Sequence, residues 1–240
     1  RGPTDDQRLK PEVVAPGTNI VSLCSTIEGS SELWGRFNDD YCFSGGTSMS
    51  TPLVAGAAAV TRQYLMEVKG MENPSASLIK GLLMNTATDM FPGQFGFLDA
   101  GQEFVVPAPN NDEGYGRVDM QNVVDDDRYL ALIDNARGVT DGEEVVHEIN
   151  VAGARAVKVT LVYTDAPGSP SAAKALVNDL DLTVTDGERT LTLEDRKNNH
   201  EQIQMTEFSG DTLLVKVAAQ SLPVTKDGAV PYSLVVTKEQ

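Results

Sequence analysis

The sequence predicts an α/β region followed by an all-β sandwich, and three observations carry that prediction. Leu53-Val54-Ala55-Gly56-Ala57-Ala58-Ala59-Val60 is apolar on every face, with no charge until Arg62, which is the pattern of a helix buried inside a large domain. Asn73-Pro74-Ser75 followed by Ala76, Ile79, Lys80, Leu83 and Met84 sets a second helical period. After Asp125-Asp126-Asp127 the period drops to two, as in half-buried strands. At 240 residues the chain is long enough for two modest domains with real cores, and the change of period divides it into residues 1–126 and 127–240.

In chain order, Val13-Val14-Ala15 reads as extended, runs into a Pro16-Gly17 turn and resumes at Asn19–Leu23. Residues 25–40 are mixed, small and polar and read as a loop, with Trp34 and Phe37 anchoring it by packing or, alternatively, lining a cleft. The first helix is expected over 48–68 with Lys69-Gly70 as its stop. Pro52 is tolerated there because first-turn amides lack helical partners. The second helix is expected to start at an Asn73 cap with Pro74 in its first position. Residues 89–116, rich in Gly, Pro, Asn and Asp, read as a long surface loop, and 118–124 as a short helix. Strands follow where Val145–Ile149, Val157–Tyr163, Leu180–Val184, Leu191–Leu193, Leu213–Val217 and Tyr232–Val236 occur, with an Asp186-Gly187 hairpin turn. Short alternating strands and turns without helical pattern predict a sandwich or jelly roll.

The net charge of −16 argues against nucleic acid or an anionic membrane surface as partner. No apolar run approaches the roughly 18 residues of a spanning helix. The chain opens Arg1-Gly2-Pro3, without Met, as an internal fragment would.

The chemistry concentrates at Gly45-Gly46-Thr47-Ser48-Met49-Ser50-Thr51-Pro52. Two roles are open to Ser48. It caps a helix, as serine commonly does, or it presents a hydroxyl where unpaired amides and the positive helix end favour developing negative charge. The full string, with Val54-Ala55-Gly56, resembles the nucleophile motif of the subtilisin-like serine proteases. Lys10-Pro11-Glu12-Val13-Val14-Ala15-Pro16-Gly17-Thr18-Asn19-Ile20 is similar to the segment preceding that motif, and Gly114-Tyr115-Gly116-Arg117-Val118-Asp119 to the segment closing the protease domain. The resemblance implies that residues 1–126 are the C-terminal portion of a three-layer α/β protease domain, acting on protein or peptide substrates. Ser48 would attack the scissile carbonyl, its amide and Thr47 would help hold the oxyanion, and Gly45 and Gly46 would leave room for substrate. Met49 lies beside the nucleophile with packing as its plain role. A lipase-like elbow is disfavoured because Gly46-Thr47-Ser48-Met49-Ser50 lacks its final glycine.

The family's Asp-Ser/Thr-Gly turn, His-Gly-Thr-His helix and oxyanion asparagine are absent from these 240 residues. His147 and His200 lie in the β region, in an expected strand and an expected loop, and neither reads as the base. A complete enzyme would therefore need an N-terminal part of the protease domain, and this chain alone should be inactive. The other reading is a subtilase-derived binding or structural module. Cys24 and Cys42 either close a loop, worth about 3 kcal/mol, or remain thiols, and the resemblance to a secreted protease favours the disulfide.

Leu176-Val177-Asn178-Asp179-Leu180-Asp181-Leu182, with Asn198-Asn199-His200-Glu201 following, resembles the jelly-roll domain appended to some subtilases and related to the P-domain of kexin-like convertases. No cofactor is required for the chemistry. A structural calcium ion is one reading of Asp165, Asn178, Asp179, Asp181, Asn198, Asn199 and Glu201, since calcium takes six to eight oxygens; ordinary turn chemistry is the other.

Overall fold

The computed structural model describes residues 1–31, 33–97 and 102–239. A short antiparallel pair, β1 (Ile20–Leu23) and β2 (Tyr41–Ser44), leads into helices α1 (Thr47–Glu67), α2 (Ala76–Asn85) and α3 (Met120–Val124). Eight strands follow: β3 (Tyr129–Thr140), β4 (Glu144–Asn150), β5 (Ala156–Tyr163), β6 (Asp179–Thr185), β7 (Thr190–Leu193), β8 (His200–Thr206), β9 (Thr212–Ser221) and β10 (Ala229–Lys238). They form two antiparallel sheets, ordered β3-β10-β5-β8 and β4-β9-β6-β7. The period-two residues of both sheets meet in one core. Val159, Leu161 and Tyr163 join Leu234 and Val236 from one sheet, and Leu180, Leu182, Val184, Val215 and Val217 from the other.

The first sheet is covered on its outer face as well, by α2. Val235 packs with Leu65, Leu78 and Leu82, and Val162 with Met84 and Tyr115. This explains why 161–163 and 234–236 are apolar at consecutive positions: a strand buried on both faces loses its alternation. Gly81 is where helix and sheet come closest. A Cβ there would stand 3.2 Å from Val235 Cγ2 and 3.4 Å from Val162 Cγ2.

Polar side chains pin both ends of α2. Its cap is Ser75, whose hydroxyl accepts from the Leu78 amide at 3.0 Å and donates to Asp134 Oδ1 at 2.6 Å. Ser233 donates to the same oxygen at 2.9 Å and lies 2.8 Å from Ser77 Oγ. At the other end Asn85, fully buried, donates to Thr160 Oγ1 at 2.9 Å and accepts from Thr237 Oγ1 at 2.8 Å.

Several sequence expectations are corrected. The cap of α2 is Ser75, two residues beyond Asn73, so Pro74 precedes the helix. Residues 13–15 form no strand, only a bridge from Val14 to Arg117. Among the described residues the N-terminal half holds just the β1–β2 pair, and no layered α/β sheet is present there. Pro52 is the sixth residue of α1, beyond the first turn, so the Ser48 carbonyl lacks its helical donor. Expected to be buried, α1 covers only the stripe Ala57, Thr61, Tyr64 and Leu65, leaving Leu53 43% and Val60 48% exposed.

Trp34 and Phe37, expected as anchors, do pack, against Gly45 and Phe43, but remain 46% and 60% exposed. Strand β3 escaped the sequence reading because Tyr129 and Leu132 face the helices while Leu130 and Ile133 face the sandwich core. His200 and Glu201, expected in a loop, begin β8. Of the loops read at 25–40 and 89–116, residues 32 and 98–101 lie outside the described residues.

Asn85→Ala removes both side-chain bonds, leaving Thr160 with Gln202 alone and Thr237 with only a 3.4 Å bond to Glu239. The expected cost is about 2–3 kcal/mol, read as a lower denaturant midpoint with an unchanged slope.

Candidate active site around Ser48

The three motif segments of the N-terminal half, far apart in sequence, are neighbours in space. Gly46 donates its amide to Gly17 O at 2.6 Å, which ties the Pro16-Gly17 turn to the start of α1. Val14 donates to Gly116 O, and Val118 donates to Val14 O, each at 3.0 Å; Tyr115 donates to Glu12 O at 2.8 Å. The 10–20 segment is thus held between the start of α1 and the 114–119 segment.

Ser48 is the second residue of α1, and its cap is Gly46, not a serine side chain. Gly46 adopts φ 132° and ψ 171°, a backbone region that glycine alone enters freely. Its carbonyl accepts from the Met49 amide at 3.0 Å. Gly46, Thr47 and Ser48 are exposed, and Gly45 and Met49 are half-buried. Thr51 spends its hydroxyl on Thr47 O at 2.8 Å. Among the described residues the Ser48 hydroxyl has no hydrogen-bond partner. It therefore stands at the positive end of a 21-residue helix, beside first-turn amides without helical acceptors.

The hairpin before α1 carries a disulfide between Cys24 and Cys42, with Cα atoms 5.1 Å apart. Trp34, on the loop that this disulfide closes, lies against Gly45, three residues before Ser48. Sequence alone singled out Trp34 as a loop anchor but not its contact with Gly45. The only signal for it was a lone tryptophan in a polar loop ahead of two glycines.

Both histidines are held by tyrosines of the protein. His147 Nε2 lies 2.8 Å from Tyr232 OH, and His200 Nδ1 lies 3.1 Å from Tyr115 OH. His200 is 2% exposed. Burial, helped by the Lys80 cation, brings it down to about 4, so the ring is neutral near pH 7. Among the described residues no hydrogen bond joins either histidine to Ser48.

Most of the oxygens read as calcium donors are spent otherwise; Asp179 Oδ1 is the exception, buried without a hydrogen-bond partner. Asp165 accepts from the amides of Ala166, Val177 and Asn178 at 2.7–2.9 Å. Asn178 exchanges two bonds with the Val224 backbone. Asp179 and Asp181 both face Arg196. Asn198 bonds the Leu9 amide and Asp195, and Asn199 bonds Tyr163 O. Glu201 takes the amides of Leu182 at 2.7 Å and Asp195 at 2.6 Å, while burial pushes its carboxyl up to about 8. Among the described residues no group of three or more His, Cys, Asp or Glu side chains is placed to hold a metal ion. The set does not fit calcium; these side chains staple loops to strands.

Two measurements check these assignments. Buried neutral, His200 contributes stability that is complete above its unfolded value of 6.5 and is lost as pH falls toward about 4, on the order of 3 kcal/mol. His200→Gln should remove that slope relative to wild type, and the difference cancels the opposite contribution of Glu201. Chelator should leave the melting temperature of the chain unchanged.

Residues 1–116 match the family model described as the Subtilase family. The serine protease/ABC transporter B family protein tagA of Dictyostelium discoideum is 27% identical over 79% of this chain and 12% of its own length. The serine protease AprX of Bacillus subtilis is 43% identical over 26% of this chain and 15% of its own. The minor extracellular protease Vpr of the same species is 32% identical over 55% of this chain and 14% of its own. The chain thus spans about an eighth to a seventh of the relatives it matches. Three family segments, packed together around an exposed serine and matched from residue 1 to residue 116, make this a subtilase-like chain.

Proposed function

We propose that this chain is the nucleophile-bearing C-terminal part of a subtilisin-like serine endopeptidase, residues 1–126, joined to a jelly-roll-like domain, residues 127–240. The observation that carries the proposal is the exposed, unengaged hydroxyl of Ser48 at the first turn of α1. In the reaction Ser48 Oγ bonds to the carbonyl carbon of the scissile peptide, and the carbonyl oxygen takes the charge. The Ser48 amide, with Thr47 beside it, faces that oxygen. The amine then leaves, and water releases the acyl group. The proton taken from Ser48 needs a histidine oriented by a carboxylate, and neither histidine of this chain is placed for it. Both groups would come from an N-terminal part of the protease domain. No cofactor enters the chemistry.

The exposed side of α1 supports such a partner. An apolar cavity of about 450 Å³, lined by Val13, Val54, Ala58, Ile79 and Leu83, opens there. A wider one of about 860 Å³ lies beside Val14, Thr47, Thr51 and Ala55. Surfaces of this kind are occluded in stable folds, and the missing protease layers would occupy them. Among the described residues no helix is long and apolar enough to cross a membrane, which is compatible with secretion.

The test uses the protein with its upstream protease segments. A fluorophosphonate probe should label Ser48, and Ser48→Ala should abolish labelling and lower peptide turnover by about 10⁵- to 10⁶-fold. The 240-residue chain by itself should hydrolyse no peptide. An unlabelled Ser48 in the complete, folded protein would favour the binding-module reading.

A further inference from the structure

The hairpin ahead of α1 leaves an apolar surface open beside the candidate nucleophile. Leu33 and Phe37 are exposed there, and Trp34, the sole tryptophan of the chain, is partly exposed. None of the three lines either cavity beside α1, so this surface lies apart from the one that upstream protease layers would cover.

Trp34 is held in place from several directions. Gly35, the next residue, accepts at its carbonyl from the Phe43 amide at 3.0 Å. Phe37 donates its amide to Tyr41 O at 2.8 Å, and its ring meets that of Phe43 edge to face at 5.7 Å. The Cys24–Cys42 disulfide closes the loop at its base. The indole's six-membered ring fills the place that a side chain at position 45 would need, since a Cβ there would stand 2.6 Å from Trp34 Cζ2 and Cη2. Glycine at 45 is what lets the indole lie directly on the backbone that leads to Ser48.

From Gly45 to Ser48 the backbone can reach at most about 11 Å. An extended substrate advances about 3.3 Å per residue, which puts the indole within roughly three residues of the bond that Ser48 would cut. A wall already ordered before substrate arrives adds affinity without a further ordering cost. Its apolar ring offers most to another ring or to a large aliphatic side chain. We propose, resting on the assignment of Ser48 as nucleophile, that Trp34 is a specificity-determining residue: it selects protein substrates with an aromatic or large aliphatic residue close to the scissile bond. The substrate side chain lies against the exposed part of the indole, and the disulfide-closed loop keeps that surface in position.

The experiment uses the complete protein with its upstream protease segments. Its substrates are peptides in which phenylalanine replaces alanine, one position at a time, over three residues on either side of the cut. Wild type should show a kcat/KM about tenfold higher for phenylalanine than for alanine at one of these positions. Trp34→Ala should bring that ratio close to one while a fluorophosphonate probe still labels Ser48, and Trp34→Phe should keep most of the preference. If Trp34→Ala fails to fold, Trp34→Leu, which retains an apolar side chain beside Gly45, should still lower the ratio several-fold. The proposal is overturned if wild type prefers phenylalanine at none of the positions. It is also overturned if the preference survives in folded Trp34→Ala, or if phenylalanine and alanine peptides lose rate equally. In each of those cases Ser48 remains labelled and the protease reading stands. Absence of Ser48 labelling in folded wild type overturns both.

Discussion

The seam between α2 and the outer face of the first sheet holds the structure together. Without it, Leu78, Leu82 and Val235 would lie open to water, and the buried amide of Asn85 would lose both of its side-chain partners. Apolar contact supplies the attraction along the middle of the helix, where Gly81 lets helix and sheet approach. The serine–aspartate set at one end and Asn85 at the other fix its register, because each buried polar group is satisfied in only one alignment. The seam also carries the site: α1 packs on α2, and the 10–20 segment that braces the start of α1 is gripped by the 114–119 segment.

The sandwich was legible in the sequence wherever one face of a strand is wet or polar. The hairpin around Asp186-Gly187 appears where it was read, and β5 was legible from its alternation over 157–161, before Leu161, Val162 and Tyr163 are all buried. Strand β3 was hidden because helices cover its second face, and its alternation is lost with Tyr129, Leu132 and Ile133 all apolar. His200 and Glu201 read as loop because a polar pair is unusual at a buried strand start; only the tyrosine and the two amides that satisfy them make the position tolerable.

At the site, Ser48 was legible from its string, and so were its glycine neighbours. What the string could not convey is contact. Trp34 against Gly45, and Gly17 against Gly46, follow from chain paths set by the disulfide-closed hairpin and the 10–20 segment. The oxygen-rich residues 165–201 misled for a related reason. Asp and Asn gather at loops both to bind metals and to hold backbone amides, and composition does not distinguish the two. The all-round apolarity of α1 was read correctly as a residue pattern. Its one covered stripe leaves the other apolar faces open, and the proposed function assigns their cover to the upstream protease layers.

The Asp125–Asp127 punctuation looks like a place to cut, yet α2 lies on the far side of it and rests on β5 and β10. Whoever wished to graft this sandwich onto a protease, or to trade it for a different appendage, would have to transplant the underside of α2 along with it. The genetic hinge and the mechanical one do not coincide.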